Sequence, residues 1–242
     1  MAQWVGTHPA IILEFEELRP GDNELLAAYR LLIKLGKLYG QALDIIVADG
    51  LYDGEPFRAL CRRLGYYWVT RQKNELIDPG KAFRKAIDRR DPDRQNPDSR
   101  YLERSRQQQY QVWEESDIGY RFVWARRIAQ SSSLPPAEPF TGACMTSLPA
   151  DRAPAVAVAM LMETRWAIEN TAFHELATAW KLDRPYVHAG RSVAVTMILI
   201  LAFVAYNAMQ TFFYRELGIS PERPARTIGA ICATLHASIG GK

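Results

Sequence analysis

The chain has 242 residues, 48% of them hydrophobic and 24% charged, a balance that excludes a disordered polymer and leaves enough apolar mass for one large core or two small ones. Its formal charge of +3 permits nucleic acid as a partner without arguing for it. Three scattered cysteines, Cys61, Cys144 and Cys232, lack the spacing of a metal site or a disulfide frame, and read as reduced thiols of a cytoplasmic protein.

No basic start followed by an apolar run opens the first twenty residues, so no signal peptide is expected. Ala10 to Leu18 is apolar and then alternating, which predicts a strand with Glu14 and Glu16 on its solvated face. Arg19-Pro20-Gly21-Asp22 reads as a turn. Asp22 or Asn23 then caps a helix whose apolar positions Leu25, Leu26, Tyr29, Leu32, Ile33 and Leu35 keep helical period to about Tyr39. Ala42 to Gly50 reads as a buried strand that stops on a carboxylate, Asp49, followed by glycine. A second helix opens at Gly54-Glu55-Pro56-Phe57 and runs through Leu64 to a Gly65 C-cap, and Tyr66 to Thr70 is a further strand. Strand, helix, strand, helix, strand with short crossovers predicts a mostly parallel sheet. Such sheets place their chemistry at the carboxyl ends of strands, which puts Asp49 at the rim.

Composition shifts beyond Gln72. Residues Arg71 to Arg106 carry eleven Lys or Arg against seven acids, a local excess larger than the charge of the whole chain. Arg89 to Ser99, with Pro92 and Pro97, reads as an exposed loop. Tyr110 to Trp113 and Tyr120 to Ile128 read as a two-strand ribbon about Asp117-Ile118-Gly119, carrying Arg121, Arg126 and Arg127. This block is either a solvated, salt-bridged surface or a phosphate-contacting platform. Ser131 to Pro139 is a linker, and Cys144 to Leu148 a last short strand.

A long helix is expected from about Ala153 to Trp180, with Ala159, Met162, Trp166, Ile168, Phe173, Leu176 and Trp180 recurring at helical spacing. It carries Arg165 and Glu169 four residues apart, a surface ion pair or part of a site. A strand-end Asp with a helix-borne Glu-Arg pair can hold a divalent metal, because hard cations take carboxylate oxygens and leave room for phosphate and water. His8, His174, His188 and His236 are too dispersed for a metal set, and His174 reads as structural. Ser192 to Tyr214 is uncharged and long enough to cross a bilayer, but Asn207 and Gln210 argue for a helix buried on two sides in a soluble domain. The tail from Gly218 is Pro-interrupted and then weakly helical.

Three strings then carry a resemblance: Val-Ala-Asp-Gly-Leu-Tyr-Asp around Asp49, Tyr-Trp-Val-Thr-Arg-Gln-Lys after it, and, past a long insertion, Arg-Trp-Ala-Ile-Glu-Asn-Thr-Ala-Phe-His-Glu-Leu. Together they resemble the catalytic half of insertion-sequence DDE transposases over nearly all of residues 10 to 217. The resemblance implies an α/β, ribonuclease-H-like mixed sheet flanked by helices, with its core in 8–75 and 149–217, a basic β-rich insertion at 76–148 and a tail at 218–242. It implies two Mg2+ or Mn2+ ions held by two aspartates and a glutamate, of which Asp49 matches the second aspartate and Glu169 the glutamate. It also implies DNA as partner rather than a small-molecule substrate, with Arg165 and Asn170 as contacts, Lys181 as a shifted candidate, and Arg121, Arg126 and Arg127 on the basic ribbon. A homodimer stays open. The chain departs from the family signature at Met162, where a Tyr is usual, and at Leu176, where a Lys is usual. No Asp or Glu precedes Glu14, and Glu14 and Glu16 match a later strand of the family. The expectation is therefore a transposase truncated at its amino terminus, without the first strand and first aspartate, and inactive alone. The alternatives are a DNA-binding regulatory remnant and, third, a protein anchored in a membrane through Ser192 to Tyr214.

Overall fold

The computed structural model describes residues 1–5, 9–72, 91–92, 109–117, 119–128, 141–165, 168–178, 180–182 and 193–215. They belong to two compact units, Glu16–Arg165 and Met1–Phe15 with Trp166–Lys242, each with its own core.

In the larger unit, helix α1 (Glu24–Tyr39) begins where Asn23 Oδ1 accepts the Leu26 amide. Of the two cap candidates Asn23 is the cap, since Asp22 is drawn to Arg30 at 2.5 Å and accepts the Arg19 amide. Helix α2 (Glu55–Leu64) has Pro56 in its first turn and stops at Gly65, whose φ of 78° is the left-handed geometry a side chain resists. Strands β3 (Ile45–Ala48), β4 (Tyr67–Arg71), β5 (Gln109–Asp117), β6 (Tyr120–Ile128) and β7 (Thr141–Thr146) form one sheet in the order β3-β4-β7-β6-β5.

Only β3 and β4, joined through α2, are parallel; the other three pairs are antiparallel. The mostly parallel sheet expected from element order is thus a mixed one. The reason lies in the segment 76–148, whose strands extend the sheet outward from β4. β5 and β6 are joined by a turn too tight for any but antiparallel pairing, with Gly119 at φ 83°.

Helix α3 (Ala155–Thr164) has an almost wholly apolar sequence and joins one cluster with the sheet: Val156, Val158, Ala159 and Met162 with Val69, Val112, Val123 and Cys144. Two polar ties fix the arrangement. The Tyr110 hydroxyl donates to Glu163 at 2.8 Å. Arg121, only 5% exposed, donates from Nε to Glu114 and from Nη1 to the carbonyls of Leu148 and Ala153 at 2.7 and 2.9 Å. Strand alternation sends Trp68 and Trp124 to the other face. There the Arg58 guanidinium lies 5.6 Å over the Trp68 ring, and Trp113 meets Trp124 edge to face at 4.9 Å. Cys61 and Cys144 are free, buried thiols that burial pushes up to about 12.

In the second unit the strand expected at Ala10 to Leu18 shrinks to β2 (Ile12–Glu14) and pairs antiparallel with β1 (Ala2–Gln3), outside the main sheet. A side chain takes both peptide groups of Ile12: Asn207 Oδ1 accepts the Ile12 amide and Asn207 Nδ2 donates to the Ile12 carbonyl, both at 2.8 Å. The expected long helix is likewise interrupted. After α3 comes a π-helical turn (Ile168–Phe173) and then the short α4 (His174–Thr178), closed near Lys181, which adopts a left-handed φ of 58°. A π turn admits an extra residue and rotates the faces that follow, so Ala172 and Leu176 point inward while Phe173 is 48% exposed.

Helix α5 (Val193–Arg215) is long and apolar enough to cross a membrane. It is buried along one stripe, Ala202, Tyr206 and Gln210, rather than on the two sides expected, and Val193 and Leu201 are exposed. The polar residues that argued against spanning are both engaged, Asn207 with Ile12 and Gln210 with Glu175. Asn207→Leu should cost about 2 kcal/mol, because the Ile12 amide and carbonyl lose their partner together. Urea titration of the variant checks this; a midpoint equal to wild type would show that Asn207 merely touches β2.

Candidate active site

Parallel pairing places the carboxyl ends of β3 and β4 side by side, with Ala48 opposite Thr70. The next residue is Asp49. Its Oδ1 accepts the Gly50 amide at 2.7 Å, which caps a single tight helical turn, Gly50–Tyr52. At the far end of that turn, Asp53 sends its carboxylate back to β4. Oδ1 accepts from Thr70 Oγ1 at 3.0 Å and Oδ2 from Gln72 Nε2 at 2.9 Å, with Arg58 Nη1 at 4.0 Å. Burial pushes the Asp53 carboxyl above its usual range, and Thr70, Arg58 and Gln72 pull it back. The Tyr52 hydroxyl donates to Glu24 of α1, and burial with that carboxylate beside it raises the phenol. The loop bearing Asp49 is therefore tied to both α1 and β4.

Glu169 stands exposed in the π turn of the other unit. Such turns recur where a helix must present a functional side chain. Its neighbour Asn170 is in the same turn, with its side chain outside the described residues. Arg165 ends α3 and is 7% exposed. Lys181 is exposed. Arg126 is exposed too, its guanidinium 5.4 Å over the Trp124 ring, while Arg127 lies on β6 with its side chain outside the described residues. Arg121 is not a surface cation. Its guanidinium serves Glu114 and two backbone carbonyls inside the unit, so the sequence expectation of a phosphate contact there is corrected. Most of the basic stretch Arg71 to Arg106 lies outside the described residues, as do His8, His188 and His236.

Sequence reading missed Asp53, Thr70 and Gln72, although Asp49 and Asp53 flank one turn and Thr70 and Gln72 close the neighbouring strand. It also missed Glu175, whose Oε2 accepts from Gln210 Nε2 at 3.3 Å and whose carboxyl burial pushes up to about 7. A Glu in a helical run reads as solvated unless its partner across the fold is known. Folded, Glu175 keeps its proton until about pH 7; unfolded, it loses it near 4.5. The folded state thus binds more protons in that window, and stability should be full below about pH 4.5 and decline as pH rises through about 7. For a half-buried group the decline is about 1–2 kcal/mol after solvent screening. Melting curves from pH 4.5 to 8 should show it, with Glu175→Gln flattening the profile; parallel profiles for the two proteins would contradict the assignment.

Among the described residues no three His, Cys, Asp or Glu side chains form a ready metal cluster. Asp49 and Glu169 do offer the hard carboxylate oxygens that Mg2+ or Mn2+ takes. The family model for the transposase DDE domain matches residues 17–208, from the start of the larger unit into α5. A mixed five-stranded sheet flanked by helices, with a carboxylate at the carboxyl end of β3, is the ribonuclease-H-like arrangement of that class. The chain belongs to the DDE transposase family. No curated protein matches the chain. Members of the family normally use divalent metal ions, and a transposase acts on DNA.

Proposed function

We propose that the chain is a DDE transposase working on DNA with Mg2+ or Mn2+, in which Asp49 and Glu169 are each, in its own unit, the counterpart of one of the family's acidic residues. The observation that carries this is the placement of Asp49 at the end of the parallel strand pair, within a family match that runs through the Arg165 to Phe173 string. When bound, such ions lower the pKa of the attacking water or 3′ hydroxyl and neutralise the leaving oxygen. The chain's own part is to hold the acidic oxygens and to meet the DNA backbone. Arg126, Arg127, Asn170 and Lys181 are the proposed contacts; Arg121 and Arg165, both buried, are not.

No third carboxylate is assigned. Glu16 and Asp22 are held by Arg30, Glu24 takes the Tyr52 hydroxyl, and Asp53 accepts from Thr70 and Gln72. Among the described residues, the edge of β3 away from β4 carries no strand. A parallel strand added there would end beside Asp49, where the family's first aspartate belongs. With two of the family's three carboxylates assigned among the described residues, charge neutralisation is incomplete, and we infer that the chain does not cleave DNA alone. In a nicking assay on supercoiled DNA with Mg2+ or Mn2+, no cleavage is expected; robust cleavage abolished by Asp49→Ala would overturn the inactivity.

A second reading, a regulatory DNA-binding protein without catalysis, is favoured by the exposed Arg126 stacked on Trp124. It requires DNA affinity with a clear slope on log salt, and no retention on DNA at about 50 mM salt would remove it. Both readings place the protein in the cytoplasm, where DNA is reached.

A further inference from the structure

We propose that Asp53 is the positioning residue of Asp49, clamping the one-turn loop that carries it to the end of β4; this rests on reading Asp49 as a metal-binding carboxylate. The loop is short, and outside the turn itself the Tyr52 hydroxyl ties it to Glu24 of α1. Its internal bonds are those of a single turn, Tyr52 amide to Asp49 carbonyl at 3.0 Å and Asp53 amide to Gly50 carbonyl at 3.3 Å. One turn is not stable by itself, since nucleation fixes several dihedrals for one hydrogen bond. Asp53 supplies what the turn lacks. Its carboxylate oxygens each take one donor from β4, Thr70 Oγ1 and Gln72 Nε2, and Thr70 is the residue opposite Ala48 in the parallel register. The clamp therefore crosses from the turn to the strand immediately beside Asp49. Thr70 is fully buried and cannot give.

The role of Asp53 in this proposal is that of an outer partner and not of a ligand. Both oxygens already accept protein donors, and the Arg58 guanidinium stands 4.0 Å away, held over the Trp68 ring. An anion so placed orients its neighbour, as the outer partners of metal ligands do.

The test follows Mn2+ binding to the full chain by electron paramagnetic resonance, and amide hydrogen exchange across residues 49 to 54. Asp53→Ala should weaken Mn2+ binding about tenfold or more and speed exchange at Gly50 and Tyr52 by a similar factor, with β4 and α2 unchanged. Asp53→Asn should stay within about twofold of wild type, because the amide oxygen still accepts from Thr70 and Gln72 can reverse its own amide. Gln72→Leu, which removes one donor at a half-buried position, should fall between them and keeps the test open should the alanine variant fold poorly. Wild-type exchange and Mn2+ affinity in Asp53→Ala would overturn the clamp. An asparagine variant as weak as alanine would also overturn it, in favour of direct ligation. Should wild type show no Mn2+ binding sensitive to Asp49→Ala, the metal reading of Asp49 falls, while the exchange measurement still decides whether Asp53 holds the turn.

Discussion

Arg121→Met should destabilise the larger unit by about 3–5 kcal/mol, the range for removing one partner of a buried, hydrogen-bonded charge pair. Arg121 is 5% exposed, and its guanidinium is shared by Glu114 on the adjacent strand and by the carbonyls of Leu148 and Ala153, which lead into α3. Methionine fills the stem but leaves both carbonyls without that donor and the Glu114 carboxylate facing an apolar side chain. The loss should be partly recovered in Arg121→Met with Glu114→Gln, where no charge is left behind. Urea titration followed by circular dichroism measures it, through a shift of midpoint with unchanged slope. A cost below about 1 kcal/mol would mean that the guanidinium faces water. The same variants separate structure from DNA contact: under conditions where it is fully folded, Arg121→Met should keep wild-type DNA affinity, whereas Arg126→Ala should weaken binding and reduce the salt slope by about one.

Trp68→Ala should cost about 3–5 kcal/mol as well, but for a different reason. Trp68 is 1% exposed and is the surface on which the Arg58 guanidinium rests. Removing the ring opens a cavity under β4 and frees Arg58, which also stands near Asp53 and the Met145 sulfur. Trp68→Phe keeps a ring in the cavity and should cost less than half as much. The backbone of Trp68 is held independently, its amide by Ser147 Oγ and its carbonyl by Thr146 Oγ1, so the strand itself should persist in both variants. Equal costs for the two substitutions would contradict the cavity as the source of the loss.

Legibility followed the range of the interaction. α1 and α2 were readable because cap, period and stop are local: Asn23 with Leu26 three positions on, Pro56 at the start, Gly65 at the end. The β5–β6 ribbon was readable from the turn between two alternating runs. Strand direction was not, because β7 reaches both β4 and β6 from beyond a linker, and nothing near Cys144 announces its neighbours. The long helix was over-read for a related reason. Apolar spacing from Ala153 to Trp180 is near 3.6, but the π turn at Ile168–Phe173 shifts the face by one residue, which a period count averages away.

What the residues alone determined is the class of protein, the transposase DDE domain whose family model matches 17–208, and they supplied the two acidic positions proposed for it, Asp49 at the end of an apolar run before glycine and Glu169 in the Arg-Trp-Ala-Ile-Glu-Asn string. What only the folded chain decided is how each charged or amide side chain is spent. Arg121, which reads as a cation for phosphate, is an interior brace; Asp53, which reads as part of a turn, is a clamp; Asn207, which reads as a flaw in an apolar helix, closes the edge of β2. A helix or a turn is chosen by neighbours a few residues away, whereas a buried polar group is satisfied by whatever the tertiary structure brings within about 3 Å, and that partner has no fixed distance along the chain.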